Sequence, residues 1–247
     1  VDPQIFVLMW IMIFISFLFF LSLIFWTKDT FLTGPSAKEE AQPKSFTREA
    51  IAWSKLFRVI WSPLIFICFF AIYDSFFYTI GPLMAESYQG IGIYSGLILA
   101  AYWVPTFLVS MFTQRLTRRF GKKRTAYFGL LIAALPLLIF FVGDSPVLAA
   151  AIFFVSASFS SFSVPAISSA YTDYINEAHK YEEEIEAISD FLDNLGYIVG
   201  PIIAGVLADR VGYEFSFGWL GIGLIVTLLL LVKLTPKHIR ISNRVID

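Results

Sequence analysis

The sequence has few of the residues on which redox, metal and catalytic chemistry depend. Its 247 residues include a single cysteine, Cys68, which excludes an intramolecular disulfide and a multi-thiolate metal site. Its two histidines, His179 and His238, lie far apart and indicate no metal site. The sequence contains no His-Glu-x-x-His motif and no Ser/His arrangement that would indicate a catalytic centre. We therefore expect no enzyme activity, no cofactor and no nucleic-acid partner.

Charge is also scarce. Charged residues make up 15% of the chain, whereas a soluble domain has about 25%. Hydrophobic residues make up 57%, and they are gathered in seven segments that each have the length a hydrocarbon core requires. The segments are residues 5–26, 59–83, 91–112, 125–142, 147–170, 188–208 and 215–232. The sequence therefore predicts an all-α, polytopic protein with seven transmembrane helices in a lipid bilayer.

Lys and Arg are almost absent from one set of connectors. The connectors after the first, third and fifth spans and the C-terminal tail carry six, six, one and four of them. Those after the second, fourth and sixth spans carry none, none and one, Arg210. Basic connectors stay in the cytoplasm. The chain is therefore predicted to begin outside and to end inside a membrane, which we expect to be the cell membrane.

The first span is not a signal peptide, because it has no basic flank before it and no small-residue cleavage site after it. We interpret the chain as a fragment of a larger membrane protein. Its predicted segments are a transmembrane helix at 1–26, a central cytoplasmic loop at 27–58, a six-helix unit at 59–235 and a cytoplasmic tail at 236–247. Within the loop, Phe46, Ala50, Trp53 and Phe57 recur at helical spacing, which favours an interfacial helix. A solvated linker with a helical end fits the same pattern.

The six-helix unit contains an internal repeat. A shift of 91 residues places the second span on the fifth, the third on the sixth and the fourth on the seventh. The same shift overlays Leu116-Thr-Arg-Arg-Phe-Gly121 on Leu207-Ala-Asp-Arg-Val-Gly212. Each copy has three spans, an odd number, so the second copy must be inverted relative to the first. One helix followed by two inverted three-helix repeats is typical of secondary transporters, whose substrate sites lie at the repeat interface.

The spans differ in polarity. The first, fourth and seventh contain no charged residue, so we expect them to face lipid all round. Polar groups in hydrocarbon cost several kcal/mol unless they face protein or water. The second, fifth and sixth spans are therefore predicted to face a cavity, and the third span is intermediate.

Asp74, in the second span, is the leading candidate for a coupling residue. An ionised carboxylate at the centre of a span costs about 2.5–3.5 kcal/mol. No Lys or Arg is embedded in any span to neutralise it, so Asp74 must face water, accept hydrogen bonds or hold a proton or cation. Tyr78 shares its face of the helix. The alternative is a structural, hydrogen-bonded aspartate near the outer rim.

Further substrate-site candidates lie in the third, fifth and sixth spans, and all carry hydroxyl, phenol or amide groups. They are Tyr102, Ser160, Ser163, Asn194 and Tyr197. Asp190 and Asp193 open the sixth span and are candidates for the cavity or its gate, although the helix dipole alone favours acidic groups there. The serines are equally suited to close helix packing.

Charged connectors and helix breakers are candidates for moving parts. Ion pairs between the basic connector and the acidic one would hold the inner face shut, although solvated charge runs fit as well. The residues concerned are Arg118, Arg119, Gly121, Lys122 and Glu186. Gly81-Pro82 is predicted to break the second span, and Gly200-Pro201 to give the sixth span a face suited to bending or close packing.

Parts of the sequence resemble the major facilitator superfamily. Arg119-Phe-Gly-Lys-Lys123 is similar to the second part of the family's cytoplasmic loop signature, with Gln114 and Arg118 where Gly and Asp are usual. Gly205-Val-Leu-Ala-Asp-Arg-Val-Gly212 resembles its first part. Gly196-x-x-x-Gly-Pro201 resembles the glycine–proline pattern of the antiporter branch. The chain as a whole resembles the family's sixth to twelfth spans.

The resemblance implies secondary active transport of a small-molecule substrate by alternating access, with the missing N-terminal half of the same protein as partner. Asp74 would lie in a cavity-lining helix and couple transport to a proton or ion, and the fourth and seventh spans would be peripheral. A seven-span receptor or photosensor is the alternative. However, no embedded Lys is present for a retinal Schiff base, and a receptor leaves the repeat unexplained. A non-transporting membrane protein or a half-transporter that dimerises are further alternatives.

Overall fold

The described part of the chain is almost entirely helical. The computed structural model describes residues 10–22 apart from 12 and 20, and residues 46–88, 94–143, 145–177 and 181–235. It divides into two compact units, Val1–Ser45 and Phe46–Asp247. The described residues of the first unit are helical and lie within the predicted first span. The predicted central loop before residue 46 and the tail after residue 235 lie outside the described residues.

The second unit contains the helices that correspond to the predicted second to seventh spans. They are α1 (Phe46–Ser87), α2 (Tyr94–Val109), α3 (Thr113–Phe120), α4 (Lys122–Leu137), α5 (Pro146–Ser160), α6 (Ser163–Glu177), α7 (Glu182–Val211) and α8 (Tyr213–Leu234). Short 3₁₀ turns, Ser110–Phe112 and Leu138–Phe141, follow α2 and α4. Among the described residues, six helical stretches are long and apolar enough to span a membrane, which confirms the polytopic fold.

The 91-residue repeat is visible in the backbone. Gly121 ends α3 and Gly212 ends α7, with φ values of 88° and 86° that favour glycine. Each glycine N–H donates to the carbonyl four residues earlier, over 2.9 Å in both cases. Each glycine carbonyl then accepts a bond from a hydroxyl four residues later, Thr125 in one copy and Ser216 in the other. The same turn therefore starts the third helix of both copies.

The two copies are inverted, because their glycine turns lie at opposite ends of the bundle. Near the start of the second span, Ser62 Oγ is 2.7 Å from Tyr127 Oη and also contacts the Thr235 hydroxyl. Beyond the end of α1, Tyr88 Oη donates to Glu214 Oε1 over 2.9 Å. We call the first end the basic end, because Arg58, Arg124 and Lys233 lie beside these three residues in sequence, and the second the opposite end.

Helix packing follows the same symmetry. The most extensive interface joins α1 to α7, and the next joins α2 to α5. In span order, the second packs on the sixth and the third on the fifth, which is the exchange that the 91-residue shift requires. Aromatic rings fill the centre, where Phe153 lies against both Phe77 and Phe217 with centroids 5.3 and 4.8 Å away.

The prediction that the fourth and seventh spans face lipid all round is wrong. About half of the fourth span, over Lys122–Phe141, is buried, and 44% of the seventh, whereas only 17% of the polar sixth span is buried. The fourth and seventh spans pack closely on each other, because Gly221 lies against the Ala134 carbonyl and the Leu137 side chain. Absence of charge therefore marked helices that pack through small residues, not helices surrounded by lipid.

Gly81-Pro82 does not break the second span. Helix α1 continues to Ser87, and its single non-helical residue is Ile60, with φ −109° and ψ 23°. Ile60 lies three residues before Pro63, whose ring crowds the preceding turn of a helix. Because α1 begins at Phe46, Pro63 lies inside the helix and produces the kink. The predicted fifth span, in turn, is two helices, α5 and α6, separated at residues 161–162.

Candidate functional site around Asp74

Three helices meet at the carboxylate of Asp74. Asp74 lies on α1 and is half-buried. Tyr102 of α2 donates its hydroxyl to Oδ1, and Tyr197 of α7 donates to Oδ2 over 2.7 Å. The sequence contains no Lys or Arg between Arg58 and Arg115, so phenol hydroxyls rather than a cation satisfy this carboxylate. Each oxygen therefore accepts a bond from a different helix, which ties α1, α2 and α7 together.

Tyr102 is held rigidly in place. It is 4% exposed, and its ring stacks on Phe77 with a centroid distance of 3.7 Å and an interplanar angle of 11°. Because Phe77 is itself packed against Phe153, the phenol is aimed at Asp74 before any ligand arrives. This arrangement resembles the supported first layer of a pre-organised binding site.

Two glycines bring α7 close enough for Tyr197 to reach Asp74. A Cβ on Gly196 would lie 2.5 Å from the Cys68 carbonyl and 2.6 Å from Ala71 Cβ, and one on Gly200 would overlap Ser75. Any side chain at these positions would therefore push the two helices apart. The predicted glycine face of the sixth span is a close-packing face in this structure, and Pro201 lies within a continuous α7.

The free side of the site is aromatic. Tyr78, Trp103 and Tyr197 are 48%, 48% and 38% exposed, and the Tyr78 and Trp103 rings lie 5.5 Å apart at 61°. Aromatic faces beside a carboxylate attract organic cations. A hydroxyl-lined carboxylate next to open rings is thus suited to hold a proton or an amphipathic cation.

A second carboxylate lies toward the basic end. Asp193 precedes Tyr197 by one turn of α7, and it interacts electrostatically with Asp74. With Asp190, Ser168 and Ser189 it lines a cavity of about 170 Å³ between α1, α6 and α7. The structure therefore places both acidic candidates at an opening between the site and the basic end.

The remaining substrate candidates lie elsewhere. Ser160 Oγ is 3.4 Å from Tyr73 Oη, and Ser163 Oγ donates to the Ala126 carbonyl over 3.0 Å; both serines are buried between helices. Asn194 donates to the Asp190 carbonyl one turn back on its own helix. Sequence reasoning missed Tyr73, whose hydroxyl lies 2.8 Å from Ser156 and fixes α1 to α5.

One of the gate candidates, Lys122, forms an ion pair, but its partner was not among the residues that the sequence analysis named. Lys122 Nζ lies 2.6 Å from Asp173 Oδ1 and also donates to the Ser169 carbonyl. Arg118, Arg119 and Glu186 are exposed. The partner of Lys122 is therefore on α6 and not in the acidic connector. Asp173 was recognisable as the sole acidic residue between Asp144 and Glu177.

Among the described residues, no group of three His, Cys, Asp or Glu side chains is arranged to hold a metal ion. The chemistry available around Asp74 is therefore that of hydroxyl, carboxylate and aromatic groups.

Two comparisons with known proteins show what this chain is similar to. The sequence profile of the Major Facilitator Superfamily matches residues 4–180 and, in a second overlapping alignment, residues 74–245. Multidrug resistance protein 2 of Bacillus subtilis (strain 168) is 30% identical over 115 residues, which are 46% of this chain and 28% of that relative. The aligned part thus spans less than a third of the relative's length.

Proposed function

The chain belongs to the Major Facilitator Superfamily, a family of membrane transporters and not of enzymes, and we propose that it is a secondary active transporter in which a proton on Asp74 is coupled to movement of a small amphipathic solute. The observation that carries this proposal is the pairing of Asp74 with Tyr102 and Tyr197. In the described part of the chain, hydroxyl groups from two other helices hold this carboxylate. Gain or loss of a proton by Asp74 therefore changes how firmly the three helices are joined.

Protonation changes the hydrogen-bond count at this junction. An ionised carboxylate accepts on both oxygens, whereas a protonated one must also place a donor. Protonating Asp74 therefore weakens one of the two tyrosine bonds and loosens α1 from α2 or α7. A ligand shifts a conformational equilibrium only by its differential affinity for the two states. The proton supplies that difference here, and alternating access is the motion it favours.

The substrate class follows from the open side of the site. Tyr78, Trp103 and Tyr197 offer aromatic faces, and Asp74 and Asp193 offer negative charge, a combination suited to lipophilic cations. The relative's name, a multidrug resistance protein, is in line with such a substrate. A cation and a proton that compete for Asp74 would exchange with one another, so the proposal is an antiporter.

The proposal includes an orientation and a partner. Basic segments remain in the cytoplasm, so the basic end and the C-terminus are placed inside the cell membrane. Only 17% of the sixth span and 28% of the third are buried, although both contribute to the Asp74 site. We place the missing N-terminal half of the transporter, a further set of helices, against these two spans, where it would close the site.

The test is Asp74→Asn in the full-length protein, reconstituted in liposomes with a pH gradient. We expect substrate-induced proton release to fall to the level of empty liposomes while the variant still inserts, because asparagine keeps the hydrogen-bonding shape but cannot ionise. Asp209→Asn, the same change at an exposed position near the end of α7, is the matched control and should retain coupling.

The outcomes separate the parts of the proposal. Coupled transport that persists in Asp74→Asn would remove Asp74 from the mechanism. Uncoupled downhill transport in the same variant would retain the transporter and assign the proton to Asp74. Binding of an uncharged analogue as tight as that of the cation would contradict the proposed substrate class.

A further inference from the structure

A second cavity is lined by helices other than the three that meet at Asp74. It has a volume of about 420 Å³, within the range of about 300–1,000 Å³ common to small-ligand sites. Helices α3, α4 and α5 and the turn after α5 line it, whereas α1, α2 and α7 form the Asp74 site. Its apolar lining comprises Leu116, Phe120, Phe128, Ile132, Phe159 and Phe162. The proposed transport function makes no use of this cavity.

Helix α3 sets the character of the cavity mouth. Leu116 and Phe120 are four residues apart, lie on one face and contribute to the lining. Arg115, Arg118 and Arg119 are exposed on the rest of the same short helix. An apolar face with cations opposite it is the pattern of a helix that lies at a membrane surface. This pattern favours a position of the cavity mouth at headgroup depth, at the basic end.

One cation belongs to the cavity itself. Arg124 lies in the first turn of α4, is exposed and contributes to the lining. The rest of the wall carries no charge, so a ligand that fills the cavity and satisfies Arg124 has an apolar body and an anionic head. Guanidinium groups bind phosphate in bidentate fashion.

We propose that this cavity binds one anionic phospholipid of the leaflet at the basic end, with its phosphate on Arg124 and an acyl chain between Phe128 and Phe159. Lipid tails are already in hydrocarbon, so burying a chain supplies little driving force. Selection among lipids therefore comes from the headgroup charge at Arg124, while the cavity shape determines where the lipid sits. The cavity is shallow at Gly129, because the absence of a side chain there lets α4 approach the Phe159 carbonyl and Ser163.

The test is native mass spectrometry of the purified chain equilibrated with equal amounts of phosphatidylglycerol and phosphatidylcholine. We expect the wild type to retain one phosphatidylglycerol in preference to phosphatidylcholine. Arg124→Gln should lower that preference about tenfold, at the lower end of the loss expected when one hydrogen bond to a charged group is removed. Arg118→Gln, which removes an exposed cation of α3 outside the lining, is the matched control and should leave the preference unchanged.

A second variant tests the cavity separately from the charge. Ile132→Trp places a larger side chain in the cavity and keeps Arg124. We expect the variant to retain less lipid, while its melting temperature stays at the wild-type value. Equal retention of the two lipids by the wild type would overturn the proposal. So would an effect of Arg118→Gln as large as that of Arg124→Gln, which would show diffuse attraction to the surface, or full retention in Ile132→Trp.

Discussion

Two helix pairs in this molecule both pack closely through glycine residues, but different kinds of side chain surround the two contacts. In α1–α7, Gly196 and Gly200 lie against Cys68 and Ser75; in α4–α8, Gly218 and Gly221 lie against Phe141 and the Ala134–Leu137 turn. Only the first pair carries carboxylates, Asp74 and Asp193, in its middle. Close glycine contacts therefore lie beside a polar site in α1–α7 and within an apolar interface in α4–α8. The difference lies in the side chains that flank the glycines.

The largest effect is expected from separating α1 and α7. Gly196→Leu cannot be accommodated, because the nearest atom to a new Cβ is a backbone carbonyl at 2.5 Å. Overpacking costs about 1–3 kcal/mol, and here the helix shift also withdraws Tyr197 from Asp74. We expect a lower melting temperature in detergent and loss of coupled transport. Gly205→Leu is the control on the same helix, because nothing lies within 4 Å of its Cβ. Equal behaviour of the two variants would contradict the close contact.

A smaller effect is expected from the apolar pair. A Cβ on Gly221 would lie 3.0 Å from the Ala134 carbonyl, a milder conflict than at Gly196. Gly221→Leu should therefore cost nearer 1 kcal/mol, at the lower end of overpacking penalties. The variant should lose thermal stability and keep proton-coupled transport per folded molecule. Gly223→Leu, in open space on the same helix, is the control. Loss of coupling in Gly221→Leu would show that both pairs belong to the site.

Two buried tyrosines sharpen the comparison further. Tyr102→Phe removes a donor to Asp74, and Tyr73→Phe removes a bond to Ser156 in the packed interior. Interhelical hydrogen bonds in membranes contribute about 0.6 kcal/mol on average, or roughly a threefold change in an equilibrium. We expect Tyr102→Phe to slow coupled transport by that factor, and Tyr73→Phe to lower the melting temperature alone. The reverse assignment of effects would place the coupling site at Tyr73.

The smallest effect is expected at the basic end. The Lys122 and Asp173 side chains are 35% and 54% exposed, and exposed ion pairs contribute about 0.2–1 kcal/mol. Lys122→Asp should lower the transport rate slightly, and the double variant with Asp173→Lys should recover it. Because salt screens the pair, the difference should shrink at high ionic strength. A single variant with wild-type behaviour at low salt would exclude a gating role.

Sequence patterns anticipated the helices well and their neighbours poorly. The 91-residue shift placed Gly121 on Gly212, and the structure gives both glycines the same turn, because that turn depends on local features, the glycine itself and a hydroxyl four residues later. Asp74 was singled out because an uncompensated carboxylate in an apolar span is unusual by itself. Its partners were named as candidates, but Tyr102 and Tyr197 stood beside serines with equal claim, since nothing local says which hydroxyl points at Asp74.

Burial was the property that local patterns misjudged. The fourth and seventh spans lack charge, and this was taken to mean lipid on every side. A hydrocarbon surface is equally suited to lipid and to another helix, so hydropathy cannot separate the two. The same limit applies to Pro63, whose effect depends on where α1 begins.

The sequence by itself determined that the chain consists of apolar helices long enough to span a membrane, because the thickness of the bilayer and the cost of burying charge act on each segment alone. It also indicated the inverted repeat, through the 91-residue spacing between Gly121 and Gly212. Only the tertiary structure decided that Tyr102 and Tyr197 share Asp74, that Lys122 meets Asp173 and that a cavity opens beside Arg124. These contacts depend on how closely helices distant in sequence approach one another, and between α1 and α7 that distance is set by the atoms facing Gly196 and Gly200.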